Sequence, residues 1–306
     1  HAASLTLSPA GEDTVLGTAR VEVTPDKPFD LDVKTEPFGF GDYTLTVKSF
    51  DQSGAELNTF TIPHTRVKPP WWECRAGISD KVMPDWEPVV VSEEGKRVAI
   101  VLREISFADS GLPAKVVSAG RDILAGPVEL MATVDGKDTA LKSVPGSFHA
   151  KTKGEVRADF SGKSTAGGVT ADVQGYVEFD GFMWFEVTLS DKSDKLQRLQ
   201  LQIPYDADAA NLLHAWGGEH WFRDPHNVRI MEIPEKPGQI FSSLDKELIR
   251  TVKELRGNFM PYAFLTGDKR GMAWFAENDK GWTQSTETPA LSIERQEDGN
   301  VVLTLN

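Results

Sequence analysis

The chain has 306 residues and a formal net charge of −13, with 26% charged and 40% hydrophobic residues. A chain of this length can bury a large core without metals or disulfides. Its negative charge disfavours nucleic acid and anionic membrane surfaces as partners. The single cysteine, Cys74, excludes an intramolecular disulfide and a cysteine-based zinc site. No apolar run of about 18 residues occurs, so no membrane span is predicted.

Short runs of alternating polar and apolar residues dominate the chain. Clear examples are residues 21–23, 31–33, 43–47, 156–160 and 199–203. Gly, Pro, Asn and Asp separate these runs, which predicts an all-β protein built from short strands and tight turns. The best helical pattern covers residues 242–255, where Leu244, Leu248 and Val252 fall on one face.

Two domains are predicted. Residues 1–66 carry about six or seven strand-like runs, enough for a small immunoglobulin-like sandwich. The stiff Lys68-Pro69-Pro70 segment then indicates a linker. Residues 67–306 are predicted to form a large, supersandwich-like antiparallel β-sandwich. The final run, residues 301–305, is still strand-like, which suggests that more chain follows in a parent protein.

Turn chemistry predicts several hairpins in the larger domain. Asp-Gly pairs at 135–136, 180–181 and 298–299 are typical of tight turns between antiparallel strands. A further hairpin is predicted over residues 264–275. Trp184 and Trp274 alternate with apolar neighbours and are interpreted as core or sheet-face residues.

Three strings in the second domain carry a family resemblance. They are WWECRAGISDKVMPDWEPV at 71–89, GYVEFDGF at 175–182 and GMAWFAENDKGW at 271–282. In this order they resemble the β-sandwich region of glycoside hydrolase family 123-like proteins. The resemblance implies a bacterial protein that is secreted, periplasmic or in the cell envelope. It also implies a parent with a catalytic (β/α)8 barrel carrying an Asp-Glu pair, for which this chain has no matching positions.

The segment WGGEHWFRDPH at residues 216–226 is the densest cluster of polar and aromatic residues. Tryptophan rings can pack against the C–H faces of sugars while charged groups bind the hydroxyls. The predicted substrate-binding residues are Trp216, His220, Trp221, Arg223, Asp224 and, further along the chain, Trp282. No catalytic residue is assigned, although Glu219, His220 and His226 are acid–base candidates. A Gly-rich loop whose aromatic side chains are simply buried remains the alternative.

No metal or cofactor site is predicted, because the histidine spacing matches no helix-borne zinc motif. The acidic turn at 191–194 permits a structural calcium ion. Glu277-Asn278-Asp279 is interpreted as a polar turn in preference to a carboxylate pair.

These features predict a non-catalytic carbohydrate-binding accessory region of a secreted glycoside-hydrolase-like protein. Its expected partners are a poly- or oligosaccharide, amino-sugar glycans among them, and a C-terminal catalytic barrel in the parent chain. Two alternatives stay open. One is a stand-alone polysaccharide-degrading hydrolase or lyase with its site on the sandwich, and the other is a structural β-module of the cell envelope.

Overall fold

The computed structural model describes residues 1–24, 29–35, 38–92, 94–192, 194–216, 228–245, 259–283, 285 and 287–306. The chain divides into two compact units, His1–Ile78 and Ser79–Asn306. Within the described ranges the only helical segment is a short 3-10 helix, η1 (Ala207–Ala209), and the rest of the regular structure is β-strand. The all-β prediction is therefore confirmed. None of these ranges contains a helix long and apolar enough to cross a membrane.

The first unit contains one antiparallel sheet, here called sheet 1, with strand order β2-β1-β3-β4. Its strands are β1 (Ala2–Pro9), β2 (Gly17–Glu22), β3 (Gly41–Phe50) and β4 (Glu56–Arg66). The described residues thus form four long strands, whereas the sequence predicted six or seven short ones. The difference arises because the run at 43–47 extends over ten residues and the run at 31–33 lies outside any strand. β4 ends at Arg66, the position where the sequence predicts the boundary between domains 1–66 and 67–306.

Twenty strands are described in the second unit. They are β5 (Val90–Val91), β6 (Arg97–Ile100), β7 (Arg103–Phe107), β8 (Pro113–Ser118), β9 (Arg121–Asp122), β10 (Glu129–Val134), β11 (Lys137–Ala140), β12 (Lys142–Ser143), β13 (His149–Lys153), β14 (Arg157–Ala166), β15 (Val169–Glu178), β16 (Met183–Asp191), β17 (Leu196–Tyr205), β18 (Leu212–Trp216), β19 (Val228–Glu232), β20 (Gly238–Ser242), β21 (Tyr262–Thr266), β22 (Gly271–Phe275), β23 (Leu291–Arg295) and β24 (Val301–Leu305).

These strands form four antiparallel sheets. Sheet 2 has the order β5-β6-β7-β8-β9, and sheet 3 has the order β11-β10-β17-β24-β23-β20. Sheet 4 has the order β12-β14-β15-β16, with β13 also paired to β14, and sheet 5 has the order β19-β18-β21-β22. Buried apolar residues from all four sheets belong to one hydrophobic cluster, so the second unit folds around a shared core.

Turn chemistry correctly located the hairpins. β10 and β11 are joined by Asp135-Gly136, and both residues have positive φ angles, of 50° and 72°. A two-residue hairpin turn with two positive φ angles matches the right-handed twist of its strands. The hairpins β21–β22 and β23–β24 also form where they were predicted.

The predicted helix at 242–255 lies largely outside the described residues. Ser242, its first residue, is the last residue of β20. The Ser242 hydroxyl accepts a hydrogen bond from the backbone N–H of Leu244 at 3.2 Å. The residues that are described at the start of this segment therefore form the end of a strand and a turn.

Aromatic rings fill the centre of the second unit. The Phe107 ring of β7 lies 4.6 Å from that of Phe160 in β14 and 5.1 Å from that of Phe148, which fixes sheet 2 against sheet 4. Tyr205, at the end of β17, is fully buried, and its hydroxyl donates to the backbone oxygen of Met272 at 3.1 Å. That hydrogen bond joins sheet 3 to sheet 5.

Replacing Tyr205 with Phe tests this buried hydroxyl. Burial raises the pKa of the Tyr205 hydroxyl above its ordinary value. The hydroxyl therefore stabilises the fold below pH about 10 and ceases to do so as pH rises further, because only the unfolded chain ionises there. We expect Tyr205→Phe to lose about 1 kcal/mol at pH 7, the usual contribution of one hydrogen bond.

The pH dependence provides the second readout. Between pH 10 and 11 the free energy of unfolding of the wild-type chain should fall by about 1 kcal/mol relative to Tyr205→Phe, because ionisation of the unfolded chain is half complete at about pH 10. Urea denaturation of both proteins from pH 7 to 11 measures the difference. Identical pH slopes would show that Tyr205 is not buried as described.

Candidate functional site

Strands β15 and β16 of sheet 4 direct aromatic side chains away from the core. In β15, Val173 and Val177 are buried, so Tyr176 lies on the opposite face, because side chains alternate along a strand. In β16, Phe185 packs against the core, and its neighbour Trp184 lies on the same outer face as Tyr176. Tyr176 and Trp184 are directly opposite each other in the β15–β16 register. Two half-exposed aromatic residues therefore stand side by side on the outer face.

A close backbone approach fixes this pair. Gly175, the residue before Tyr176, faces the core, where a Cβ atom would lie 2.0 Å from the backbone oxygen of Trp184 and 2.7 Å from Cζ of Phe160. Neither atom can move away easily, since one belongs to the backbone and the other to a buried ring. Only glycine fits this position with β15 and β16 at their present separation.

A third ring, Phe182, extends the surface from the hairpin turn between β15 and β16. The Asp180 carboxylate accepts a hydrogen bond from the Phe182 N–H at 2.9 Å. Arg103 of β7 donates to the Asp180 backbone oxygen at 2.5 Å, so sheet 2 anchors the turn. Gly181 has a φ angle of 94°, in the region that favours glycine. The Phe182 ring centroid lies 6.0 Å from that of Tyr176.

Sheet 5 continues the row of rings. Phe275, the last residue of β22, is 44% exposed, and its ring lies 5.7 Å from that of Phe182. Tyr262 of β21 is directly opposite Phe275 in the register. The His214 ring of β18 lies 5.4 Å from the Tyr262 ring. Leu213, Ala215 and Ala263 beside them are buried and Trp274 packs against the core, which places the three rings on the outer face of sheet 5.

Six rings thus form a row across two sheets, here called the aromatic band, in which three pairs are in ring contact and two pairs are neighbours in the strand register. Its members are Tyr176, Phe182, Trp184, His214, Tyr262 and Phe275. Neighbouring ring centroids that make contact are 5.4 to 6.0 Å apart. Phe275 is exposed and the other five are partly exposed, so the band offers apolar surface to a ligand.

Charged and polar groups lie along the sheet-4 end of the band. The Arg157 guanidinium is 4.3 Å from the centre of the Tyr176 ring, and its Nε donates to Asp159 at 2.5 Å. The hydrogen bond to Asp159 raises the pKa of Arg157 above its usual value, so this group stays charged. Gln174 donates to Glu186 at 3.3 Å beside the Tyr176–Trp184 pair. Apolar rings flanked by fixed donors and acceptors suit a ligand with both C–H faces and hydroxyl groups.

Of the predicted substrate-binding residues, two have a described backbone. Trp216 is the last residue of β18, and its backbone is directly opposite Tyr262 of the aromatic band. The other four, His220, Trp221, Arg223 and Asp224, lie outside the described residues, as do the further acid–base candidates Glu219 and His226. The first residue of the predicted segment is therefore a neighbour of the band in sheet 5.

Trp282 lies in a different environment. Its ring packs edge-on against Trp274 at 5.3 Å and lies 6.2 Å from Phe259. Trp282 and Trp274 are partly buried and pack against the core. Trp274 is therefore a core-side residue, whereas Trp184, which was interpreted in the same way, lies on the outer face.

The acidic segments do not form a metal centre in the part of the chain that the structure describes. No group of three or more His, Cys, Asp or Glu side chains in those ranges is arranged to hold a metal ion. In the turn after β16, the Asp191 carboxylate accepts from the N–H groups of Lys195 and Leu196, at 3.0 and 2.9 Å. At 277–279, Asn278 accepts from the Lys280 N–H at 3.0 Å, as in a polar turn.

The sequence contains a pattern that indicates the exposure of the rings in sheet 4. In β15 the apolar residues occupy odd positions, and Tyr176 stands among Asp172, Gln174 and Glu178 at even positions. In β16, Trp184 likewise shares its phase with Glu186 and other polar residues. An aromatic residue in the polar phase of a strand indicates an exposed ring.

Gly175→Ala tests the close approach that supports the pair. We expect the free energy of unfolding to fall by about 3 kcal/mol, because the added methyl group overpacks a rigid site. Gly126→Ala is the matched control, since its Cβ would meet only Pro204 Cγ at an ordinary 3.8 Å. Urea denaturation measures both variants. Equal stability of the two variants would contradict the packing described.

Comparison with known proteins provides a family relationship for part of the chain. Residues 91–226 match the family model for the third domain of glycoside hydrolase 123, a non-catalytic domain. No curated protein matches the chain. Among solved structures, a copper-containing benzylamine oxidase from Hansenula polymorpha covers 99% of this chain and 73% of that chain, with 9% identity and a TM-score of 0.32. At that TM-score the likeness supports no inference.

The family match extends from β5 to just beyond β18 and includes Tyr176, Phe182 and Trp184. The described residues form no (β/α)8 barrel, the fold in which the resemblance expected the catalytic pair. The resemblance seen in the sequence is therefore confirmed for residues 91–226, which are similar to the non-catalytic third domain of glycoside hydrolase 123.

Proposed function

We propose that the chain is a carbohydrate-binding accessory region of a glycoside-hydrolase-like protein, and that the aromatic band is its glycan-binding surface. The observation that carries the proposal is the outward Tyr176–Trp184 pair, continued by Phe182 and Phe275 across two sheets. Burying these rings against the core would be the ordinary outcome for an all-β protein. Their position in the polar phase of the strands suits contact with a ligand.

The chemistry of the band suits sugars. Pyranose C–H faces pack against flat apolar rings, and the hydroxyl groups at the ring edges need donors and acceptors. Asp159, Gln174 and Glu186 supply acceptors beside the rings, and Arg157 supplies donors. A row of rings on a sheet held by backbone pairing is preorganised, so little conformational entropy is lost on binding.

The residues predicted from the sequence belong to the same proposal. Trp216, His220, Trp221, Arg223 and Asp224 are proposed to contact the glycan where the chain leaves β18. The family match supports a parent protein that acts on polysaccharide or amino-sugar glycans, outside the cytoplasm of a bacterium. Catalysis is proposed to belong to a barrel in that parent.

Trp184→Ala tests the binding surface. We expect affinity for glycans selected on an array to fall at least about tenfold, because a buried interface tryptophan usually contributes more than 1 kcal/mol. Trp184→Phe, which keeps a flat apolar ring, should recover part of the loss. Isothermal titration calorimetry measures the affinities, and thermal melting shows whether each variant is folded.

The matched control is Trp71→Ala, which removes a 69% exposed tryptophan from the first unit. It should bind the same glycans as the wild-type chain. Full affinity in a folded Trp184→Ala variant would contradict the proposal. If Trp221→Ala lost glycan affinity and Trp184→Ala did not, the glycan-binding site would lie in residues 216–226 and not on the band.

A further inference from the structure

A row of cationic side chains lies beside the sheet-4 end of the aromatic band. In β13, Ala150 packs against the core, so His149, Lys151 and Lys153 lie on the outer face, where all three are exposed. β13 pairs with β14, which places Lys151 opposite Asp159 and Lys153 opposite Arg157. Within the described ranges neither lysine forms an ion pair. This clustering is notable in a chain of net charge −13.

The cations share a face with the Tyr176–Trp184 pair. Lys151, Asp159, Tyr176 and Trp184 follow one another across β13, β14, β15 and β16, each opposite the next in the register. One strand separates β13 from β15 and two separate it from β16, so the lysine ammonium groups lie on the side of the sugar unit next to one that packs on Tyr176. Adjacent strands are about 5 Å apart, so β13 lies about 10 Å from β15, a distance that an extended lysine side chain and a neighbouring sugar unit can span together.

Arg157 stands between the lysines and the rings. Its Nε is engaged by Asp159, and its guanidinium lies over Tyr176. Among the described residues, its two terminal nitrogens form no hydrogen bond, so they are available to a ligand. Asp159 is neutralised by Arg157, while Glu178, opposite Arg157, is the remaining acidic group of these rows. The cluster formed by Lys151, Lys153, Arg157, Asp159 and Glu178 therefore carries a net charge of +1. Glu186 lies in the next row with Gln174, on the other side of the Tyr176–Trp184 pair.

We propose that this cationic row makes the band selective for glycans that carry an anionic group, a carboxylate or a sulfate, on the sugar unit next to the stacked ring. The inference rests on the proposed glycan-binding function and specifies its ligand class. Tyr176 and Trp184 hold the sugar ring, and the arginine fork with the two ammonium groups binds the anion. Guanidinium groups match planar carboxylates and sulfate oxygens well, and such charge-assisted hydrogen bonds are stronger than neutral ones.

Two matched pairs of polymers test the proposal by isothermal titration calorimetry with the 306-residue chain. Polygalacturonate is compared with its methyl-esterified form for carboxylate, and dextran sulfate with dextran for sulfate. We expect at least one anionic polymer to bind about tenfold or more tightly than its neutral counterpart, the effect of one charge-assisted hydrogen bond. The pair that shows the preference identifies the anion.

Substitutions distinguish the contribution of the lysines to binding from that of the aromatic rings. Lys151→Gln/Lys153→Gln should reduce the preference for the anionic polymer to the part that Arg157 provides, and leave binding of the neutral one unchanged. Lys115→Gln/Lys137→Gln, which removes the same charge from sheets 2 and 3, should leave the preference intact. Trp184→Ala should weaken binding of both polymers. Thermal melting confirms that each variant is folded.

Three results would overturn the inference. Equal affinity for the charged and uncharged members of both pairs would contradict the proposed selectivity, and the proposed glycan-binding function would be unaffected. A preference that Lys115→Gln/Lys137→Gln weakens as much as Lys151→Gln/Lys153→Gln would show nonspecific attraction in place of a site. Absence of binding to any polymer or array glycan would overturn the glycan-binding function itself and, with it, the selectivity.

Discussion

The alternation of side chains in β15 and β16 is the constraint on which the candidate site depends. Val173 and Val177 must enter the core, so Tyr176 between them must face outward. The pairing of the two strands then places Trp184 beside it. Gly175 allows the strands to approach closely, and it also leaves room for the buried Phe160 ring beneath. The core and the exposed pair are two faces of one hairpin, and a change that shifts its register would disrupt both.

Charge acts on this surface at two ranges. The net charge of −13 repels anions at a distance, but screening at physiological ionic strength limits that repulsion to about 8 Å. At contact distance the local groups dominate, and Lys151, Lys153 and Arg157 are the local groups. The overall composition gives no sign of this cationic row, because it does not reveal how the cations are arranged. The pairing of β13 with β14 brings them together.

Local chemistry explains what the sequence predicted well. Strand alternation predicted the all-β class, and Asp-Gly turns located hairpins such as β10–β11, because both signals are set by neighbouring residues. The aromatic band, by contrast, depends on contacts between residues that are far apart in the sequence. Phe182 and Phe275 are far apart in the chain and meet only because sheets 4 and 5 share a core. The sequence alone left the orientation of Trp184 open, because a tryptophan fits either face of a strand. Since Phe185 packs against the core and side chains alternate along the strand, Trp184 must face outward.

The central claim is that a glycan contacts the outward rings of sheets 4 and 5. An NMR titration with an oligosaccharide selected on a glycan array, following aromatic side-chain resonances, tests it most directly. The account predicts saturable shifts of Tyr176, Phe182, Trp184 and Phe275, with the core rings of Phe107 and Phe160 unchanged. Saturable binding that leaves Tyr176 and Trp184 unshifted would contradict it.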